Sequence, residues 1–143
     1  MFPQARQGAR RSLLRAACED GEVMKTVLVV DDSPEIRAAL RAALEMHGYR
    51  VLEAGYLMGV EAMATCNSDV RCMVLDGWVP WAWGTDQQPI SSIPLAANLV
   101  ESGVRVIFHS GDMALSAKAA REGLTVVPKG SGIEKLLEAV EGI

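Results

Sequence analysis

The chain has 143 residues, of which half are hydrophobic and 22% are charged, and it carries a formal net charge of −4. That length fits a single domain with its own core, and the acidic balance argues against a nucleic-acid-binding surface, which needs a basic patch. No apolar run approaches the roughly 18 residues of a membrane span, and three cysteines without regular spacing predict free thiols in a reducing cytoplasm rather than a disulfide framework or a zinc site.

The first 23 residues differ from the rest of the chain. They contain four arginines, at positions 6, 10, 11 and 15, and no long apolar stretch follows them, so they do not read as a secretory signal. Met24 is followed at once by an apolar run. We therefore expect a domain over residues 24–143, preceded by a basic arm at 1–23 that is either flexible or the product of a misassigned start codon.

From Met24 onward, short apolar runs alternate with helical patterns. Val27–Val30 is rich in β-branched residues, which is typical of a buried parallel strand. Ser33 can cap the helix that follows and Pro34 suits its first position. Gly48 is well placed to end that helix.

The later elements continue the alternation. Further strands are predicted at 50–54, 72–75, 104–108 and 124–127, and further helices at 58–65, 94–102, 114–122 and from 133 onward. Between 76 and 94 lies a long loop with three tryptophans, for which we predict no regular structure. Strands that alternate with helices imply a parallel sheet covered on both faces.

Side chains suited to phosphate chemistry directly follow four of the predicted strands. They are Asp31 and Asp32, Asp76, Ser110, and Lys129. The carboxyl ends of parallel strands meet at one edge of a sheet, so these groups should converge. Three carboxylates repel one another unless a cation lies among them, and oxygen ligands suit Mg²⁺. A lysine and a hydroxyl beside them could bind phosphoryl oxygens, so this edge could form an aspartyl-phosphate.

Four segments at these strand ends resemble, in order, the receiver domains of two-component response regulators. They are Val-Leu-Val-Val-Asp-Asp-Ser-Pro-Glu-Ile-Arg, Met-Val-Leu-Asp-Gly-Trp-Val-Pro, Val-Ile-Phe-His-Ser-Gly and Val-Val-Pro-Lys. The resemblance covers about residues 24–143. It implies an α/β, flavodoxin-like, doubly wound (βα)5 sandwich, with a five-stranded parallel sheet in the order 2-1-3-4-5 and helices on both faces.

The resemblance also implies a role for each residue. Asp76 would be the phosphoacceptor, with Ser110 and Lys129 binding phosphoryl oxygens. Mg²⁺ would be held by the carboxylates of Asp31, Asp32 and Asp76 and by the backbone carbonyl of Trp78. The phosphoryl donor would be a histidine kinase or a phosphotransfer protein. We expect no enzyme beyond self-catalysed transfer and autodephosphorylation, and output through protein–protein contacts of a monomer or weak homodimer, without nucleic acid or membrane.

Departures from the receiver pattern keep two alternatives open. Gly130 stands where the family usually has proline, and Val126 stands where it often has an aromatic residue. These features would suit a binding module that does not depend on phosphorylation. An aspartyl-nucleophile phosphatase is less favoured, because Trp78 occupies the position at which such enzymes commonly have a second aspartate.

Some residues near these motifs are more simply structural. His47 and His109 are expected to be structural, the first at a helix end. Trp78, Trp81 and Trp83 either fold back on the core or form a lid or partner surface. We hypothesise that Trp78, two residues after the acceptor, restricts water and slows loss of the phosphoryl group.

Overall fold

The computed structural model of the protein describes residues 25–84 and 88–142. The predicted basic arm lies outside the described residues, so the domain boundary at Met24 stays a prediction. In chain order the strands are β1 Thr26–Val30, β2 Arg50–Ala54, β3 Val70–Leu75, β4 Trp78–Pro80, β5 Pro89–Ser91, β6 Val106–Phe108 and β7 Thr125–Val126. The helices are α1 Pro34–Met46, α2 Val60–Cys66, α3 Ile93–Glu101, α4 Met113–Arg121 and α5 Ile133–Glu141.

Five strands form one parallel sheet in the order β2-β1-β3-β6-β7. Without the two short strands β4 and β5, this is the predicted order 2-1-3-4-5, so the predicted fold class is confirmed. Strand β1, which lies between β2 and β3, is fully buried along its length, as its uninterrupted apolar run predicts.

Apolar side chains fill the space on both faces of the sheet. Helices α2, α3 and α4 contribute to the core on one face, and α1 and α5 contribute to the core on the other. Burial on both faces explains why the strands read as continuous apolar runs rather than alternating ones. The doubly wound arrangement leaves the carboxyl edge of the sheet open for polar groups.

The start of α1 follows the predicted capping chemistry. The side chain of Ser33 accepts a hydrogen bond from the amide of Ile36, and Pro34 occupies the first turn. The second helix begins two residues later than predicted, because Gly59 has a φ of +87° and therefore cannot lie within it.

The last two strands of the parallel sheet are shorter than predicted. The predicted strand at 104–108 begins only at Val106, because the amide of Val104 instead donates to the carbonyl of Leu99 and closes the end of α3. The strand predicted at 124–127 is reduced to Thr125–Val126. No helix in the described ranges is both long and apolar enough to cross a bilayer.

The loop predicted to be irregular contains a two-stranded antiparallel ribbon, β4–β5. Its strands have three residues each and pair Pro80 with Pro89 at the far end. Proline within a short run normally argues against a strand, which is why the sequence pattern missed the ribbon. The amides of Leu57 and Met58 donate to carbonyls at the end of β4, so the ribbon is held against the loop after β2.

Candidate functional site

Three carboxylates meet at the carboxyl edge of the sheet. Asp31 and Asp32 follow β1 and Asp76 follows β3, and one oxygen from each lies within 4.8 Å of the others. Asp31 and Asp76 are buried, with only 2% and 8% of their surfaces exposed, whereas Asp32 is exposed. The convergence predicted from the strand ends is therefore present.

Lys129 reaches into this cluster from the turn that follows β7. Its Nζ lies 2.9 Å from Oδ2 of Asp31 and 3.2 Å from Oδ1 of Asp76. Burial alone would lower the pKa of Lys129, but its hydrogen bonds to Asp31 and Asp76 and their charges outweigh burial and raise it. One ammonium against three carboxylates leaves an excess of negative charge at the site.

Burial and the neighbouring carboxylate both act on the protonation of Asp76. Burial, and then the charge of Asp31, raise the pKa of Asp76 from 3.8 to about 6, against the opposing effect of Lys129. The amide of Gly77 donates to Oδ1 of Asp76 at 2.8 Å, and the same oxygen faces Lys129. From the described residues, Oδ2 of Asp76 receives no such contact.

Ser110, at the end of β6, lies close to the backbone that follows the acceptor. A Cβ built on Gly77 would lie 2.8 Å from Oγ of Ser110, so only glycine allows this approach. Oγ of Ser110 accepts a hydrogen bond from the amide of Asp112, which leaves the hydroxyl proton free for another acceptor. The amide of Lys129 donates to the carbonyl of Ser110, so these two site residues are joined through their backbones.

Trp78 lies two residues after the acceptor, with its backbone in the ribbon and its side chain bonded to the segment that follows β6. The amide of Ser92 donates to the carbonyl of Gly77, which makes Trp78 and Ser91 a non-hydrogen-bonded pair of the ribbon. The carbonyl of Trp78 is therefore not used by the ribbon ladder. Its indole Nε1 donates to Oδ2 of Asp112 at 2.8 Å, which links the segments that follow β3 and β6.

Asp112 was not among the residues selected from the sequence. Its other carboxylate oxygen accepts from the amide of Leu115 and so caps α4. The hydrogen bonds from the Leu115 amide and the Trp78 indole lower the pKa of Asp112. A capping residue two positions after Ser110 could have been inferred from its type, but its bond to Trp78 depends on tertiary structure.

Ser92, at the start of α3, is the second residue that the sequence interpretation missed. It is fully buried, and its Oγ donates to the backbone carbonyl of Asp76 at 2.6 Å. It lies sixteen positions from the acceptor and belongs to no strand-end motif. Only the return of the chain through the ribbon brings it to the site.

His109 is buried directly after β6, one residue before Ser110. Burial, together with the charge of Lys129, lowers its pKa from 6.5 to about 4, so the imidazole is neutral at physiological pH. A neutral, buried ring agrees with the structural role predicted for it. His47 lies at the end of α1, with Nδ1 2.9 Å from the carbonyl of Ala43.

Gly130 and Val126, the two positions that depart from the receiver pattern, lie in ordinary local structure. Gly130 lies in a short 3₁₀ turn, Lys129–Ser131, in which the hydroxyl of Ser131 donates to the carbonyl of Pro128. Val126 is half-buried and lies against the core of the α4 face. The turn positions Lys129 without a proline after it.

The donor set fits a hard divalent cation. Every side chain of the cluster that could hold a metal is a carboxylate, and oxygen ligands are those that Mg²⁺ and Ca²⁺ prefer. A divalent ion would also balance the charge that Lys129 leaves uncompensated. Asp31, Asp32 and Asp76 are the residues that would hold it.

Comparison with known proteins matches solved structures only. No protein-family model and no curated protein sequence matches the chain. The beryllofluoride-activated NtrC4 receiver domain dimer is 28% identical, with a TM-score of 0.66 over 82% of this chain and 94% of that one. The Thermotoga maritima response regulator TrrA, in complex with Mg²⁺–BeF, is 22% identical, with a TM-score of 0.69 over 82% and 97%.

A third match is a Burkholderia pseudomallei response regulator with a phosphorylated aspartic acid, a calcium ion and citrate. It is 24% identical, with a TM-score of 0.62, and the alignment covers 81% of this chain and 66% of that one. These neighbours place the chain in the class of doubly wound α/β folds. Within that class the chain has the fold of a response regulator receiver domain, which confirms the resemblance found in its sequence motifs.

Proposed function

We propose that the chain is a receiver that accepts a phosphoryl group on Asp76 in a Mg²⁺-dependent reaction. The observation that carries the proposal is the arrangement around Asp76. This carboxylate is buried, one of its oxygens is held by the Gly77 amide and Lys129, and two further carboxylates lie within metal-binding distance. Such an arrangement suits positioning and charge neutralisation, which dominate phosphoryl transfer.

The proposed reaction is an in-line displacement. An oxygen of Asp76 attacks phosphorus, and the bond from phosphorus to the donor atom breaks, with its electron pair leaving on the donor. Lys129 binds one phosphoryl oxygen, and the free hydroxyl proton of Ser110 is donated to another. Bound Mg²⁺ would neutralise charge on the phosphoryl oxygens, held by Asp31, Asp32, Asp76 and the carbonyl of Trp78.

The matched structures support this chemistry because of the states in which they were solved. The Burkholderia protein carries a phosphorylated aspartic acid with calcium, and the Thermotoga protein carries Mg²⁺–BeF. In this chain Asp76 would carry the phosphoryl group, and the carboxylates beside it would help to bind the divalent ion. We infer that the donor is a histidine kinase or a phosphotransfer protein, and that the phosphorylated chain signals in the cytoplasm by protein–protein contact as a monomer or weak homodimer.

A binding module that never accepts phosphate is the second candidate. The aliphatic Val126 favours it, because a receiver switch that uses an aromatic rotamer would need a ring at this position. The exposed tryptophans of the loop favour it too, since 85% of Trp83 is exposed and could meet a partner. An aspartyl phosphatase has less support, because the side chain of Trp78 is bonded to Asp112 and offers no acid or base.

Intact mass spectrometry distinguishes these candidates. The protein is incubated with acetyl phosphate and Mg²⁺, alongside Asp76→Asn and a sample with EDTA. We expect a gain of one phosphoryl group only in the wild type with Mg²⁺. If the folded wild type gains no mass, the phosphoacceptor proposal is wrong and the binding module is favoured.

A further inference from the structure

We propose that Ser92 is a positioning residue for the nucleophile, acting through the peptide group that joins Asp76 and Gly77. The inference rests on the proposed function, because it describes how Asp76 is prepared for attack. Ser92 has no counterpart among the strand-end motifs, and it reaches the site only through the β4–β5 ribbon.

The two ends of one planar peptide group are held by different partners. At one end, the carbonyl of Asp76 accepts from Oγ of Ser92 at 2.6 Å. At the other end, the amide of Gly77 donates to Oδ1 of the Asp76 side chain at 2.8 Å. Because the peptide is rigid, fixing the direction of its carbonyl also fixes the direction of its N–H.

The backbone of Ser92 strengthens this restraint. Its amide donates to the carbonyl of Gly77, and its own carbonyl accepts from the amide of Ala96 in the first turn of α3. Ser92 is fully buried, so water does not compete for its hydroxyl. Two consecutive carbonyls after β3 are therefore anchored to the start of α3.

The consequence lies in the two oxygens of the acceptor. The aligned N–H of Gly77, together with Lys129, engages Oδ1 of Asp76 and fixes the rotation of the carboxylate. Oδ2, which these two groups leave free, is then the oxygen presented for attack. Without the Ser92 hydroxyl, the Asp76 carbonyl would be buried without that donor, and the peptide would reorient to find another.

The kinetic test compares Ser92→Ala, which removes the hydroxyl, with Ser92→Thr, which keeps it. Ser91→Ala is the matched control, since Ser91 is the adjacent serine and its Oγ bonds only the amide of Ile93 among the described residues. Phosphorylation by acetyl phosphate with saturating Mg²⁺ is followed by intact mass at several donor concentrations.

We expect the rate constant at saturating donor to fall about ten-fold in Ser92→Ala, because a small misplacement of the nucleophile slows the chemical step. The donor concentration at half-saturation should not change, Ser92→Thr should recover most of the rate, and Ser91→Ala should match the wild type. A folded Ser92→Ala protein that reacts at the wild-type rate would overturn the proposal.

A second readout does not depend on phosphorylation. The amide of Gly77 is observed by NMR in protein labelled with ¹⁵N-glycine, in the wild type, Ser92→Ala and Ser92→Cys. We expect an upfield proton shift and about ten-fold faster exchange at Gly77 in the alanine variant, and a smaller change with the weak thiol donor. Gly123, which follows the C-terminal end of α4, serves as the internal reference.

The two readouts separate the two proposals. If the wild type accepts no phosphoryl group but the Gly77 amide responds to Ser92→Ala, the proposed function is wrong and the positioning contact is real. If the wild type is phosphorylated but neither the rate nor the Gly77 amide responds, Ser92 has no positioning role. Should the alanine variant fail to fold, the cysteine and threonine variants still report on the same amide.

Discussion

Asp76 is held in an environment that opposes its ionisation. Burial and the neighbouring Asp31 raise its pKa to about 6, although Lys129 and the Gly77 amide favour the charged form. A raised pKa in the native state means that the folded protein is most stable relative to the unfolded chain when Asp76 is protonated. That stability is fully present below pH 3.8 and is lost as the pH rises through about 6.

The variant Asp76→Asn should therefore become more stable relative to the wild type as the pH rises. The gain should reach at most about 3 kcal/mol above pH 7, because two pKa units correspond to that free energy before solvent screening reduces it, and should become small near pH 4. Urea unfolding in EDTA at several pH values measures it. His109, whose depressed pKa acts in the opposite direction, is common to both proteins and cancels in the difference. If the difference in free energy of unfolding between the two proteins did not vary with pH, the raised pKa of Asp76 would be contradicted.

Gly77 shows why the residue after the acceptor must lack a side chain. A Cβ there would lie 2.6 Å from Cδ2 of Leu115 and 3.0 Å from Cζ of Phe108, in addition to the approach of Ser110. We expect Gly77→Ala to lower the free energy of unfolding by about 1–3 kcal/mol, as overpacked sites do. Gly130→Ala is the control, because a Cβ at Gly130 meets nothing within 4 Å. Denaturant unfolding measures both variants, and equal free energies of unfolding would contradict the close packing of Leu115, Ser110 and Phe108 around Gly77.

At the scale of elements, a side-chain hydrogen bond joins the segment after β3, which carries the acceptor, to the segment after β6. The bond from Trp78 to Asp112 connects a residue two positions past Asp76 to one two positions past Ser110. Asp112 also caps α4, so the indole is tied to a helix rather than to a free loop. This gives the Trp78 hypothesis a physical basis, since the bridge limits how far the two segments can separate.

Trp78→Phe removes the indole donor and keeps an aromatic ring. If the bridge restricts water, the phosphoryl group on Asp76 should be lost up to about ten-fold faster, in line with losing one ordinary, solvent-exposed hydrogen bond. The loss is followed by intact mass after the donor is removed. Trp81→Phe, an equivalent change at another partly exposed tryptophan of the same loop, should behave like the wild type. An unchanged half-life in Trp78→Phe would show that the bridge does not shield the site.

The ribbon marks the limit of what the sequence pattern predicts at this scale. Long apolar runs such as β1 and the capped start of α1 carry local signals, and both were predicted. Strands β4 and β5 have three residues each, too short for a periodicity, and are paired across a long loop. The contact of Ser92 with Asp76 and the contact of Asp112 with Trp78 depend on tertiary structure, so neither contact could be identified from neighbours in sequence.

At the scale of the whole molecule, the parallel sheet brings the residues that follow its strands together at one edge. Residues far apart in the chain, from Asp31 to Lys129, meet because each follows the carboxyl end of a strand of the same parallel sheet. That rule is general, which is why most of the candidate site could be predicted from sequence. What the rule does not supply is the protonation of Asp76, which depends on burial and on the distances between charges.

The same convergence predicts that a divalent cation stabilises the whole fold. Mg²⁺ that binds the native cluster and not the unfolded chain should raise the free energy of unfolding by ~2.7 kcal/mol at a concentration of 100 times its dissociation constant. Thermal or urea unfolding across a Mg²⁺ titration measures the effect. Asp32→Asn, which changes the exposed carboxylate of the cluster, should lose most of the gain.

Glu101→Gln is the matched control, because it removes an exposed carboxylate at the far end of α3 and should keep the full gain. The separation of the two variants distinguishes binding at the cluster from general screening of a chain with a net charge of −4. Screening would stabilise both variants alike and would be reproduced by NaCl at the same ionic strength. That outcome would contradict a metal site formed by Asp31, Asp32 and Asp76, because a site of three converging carboxylates must respond to the loss of one of them.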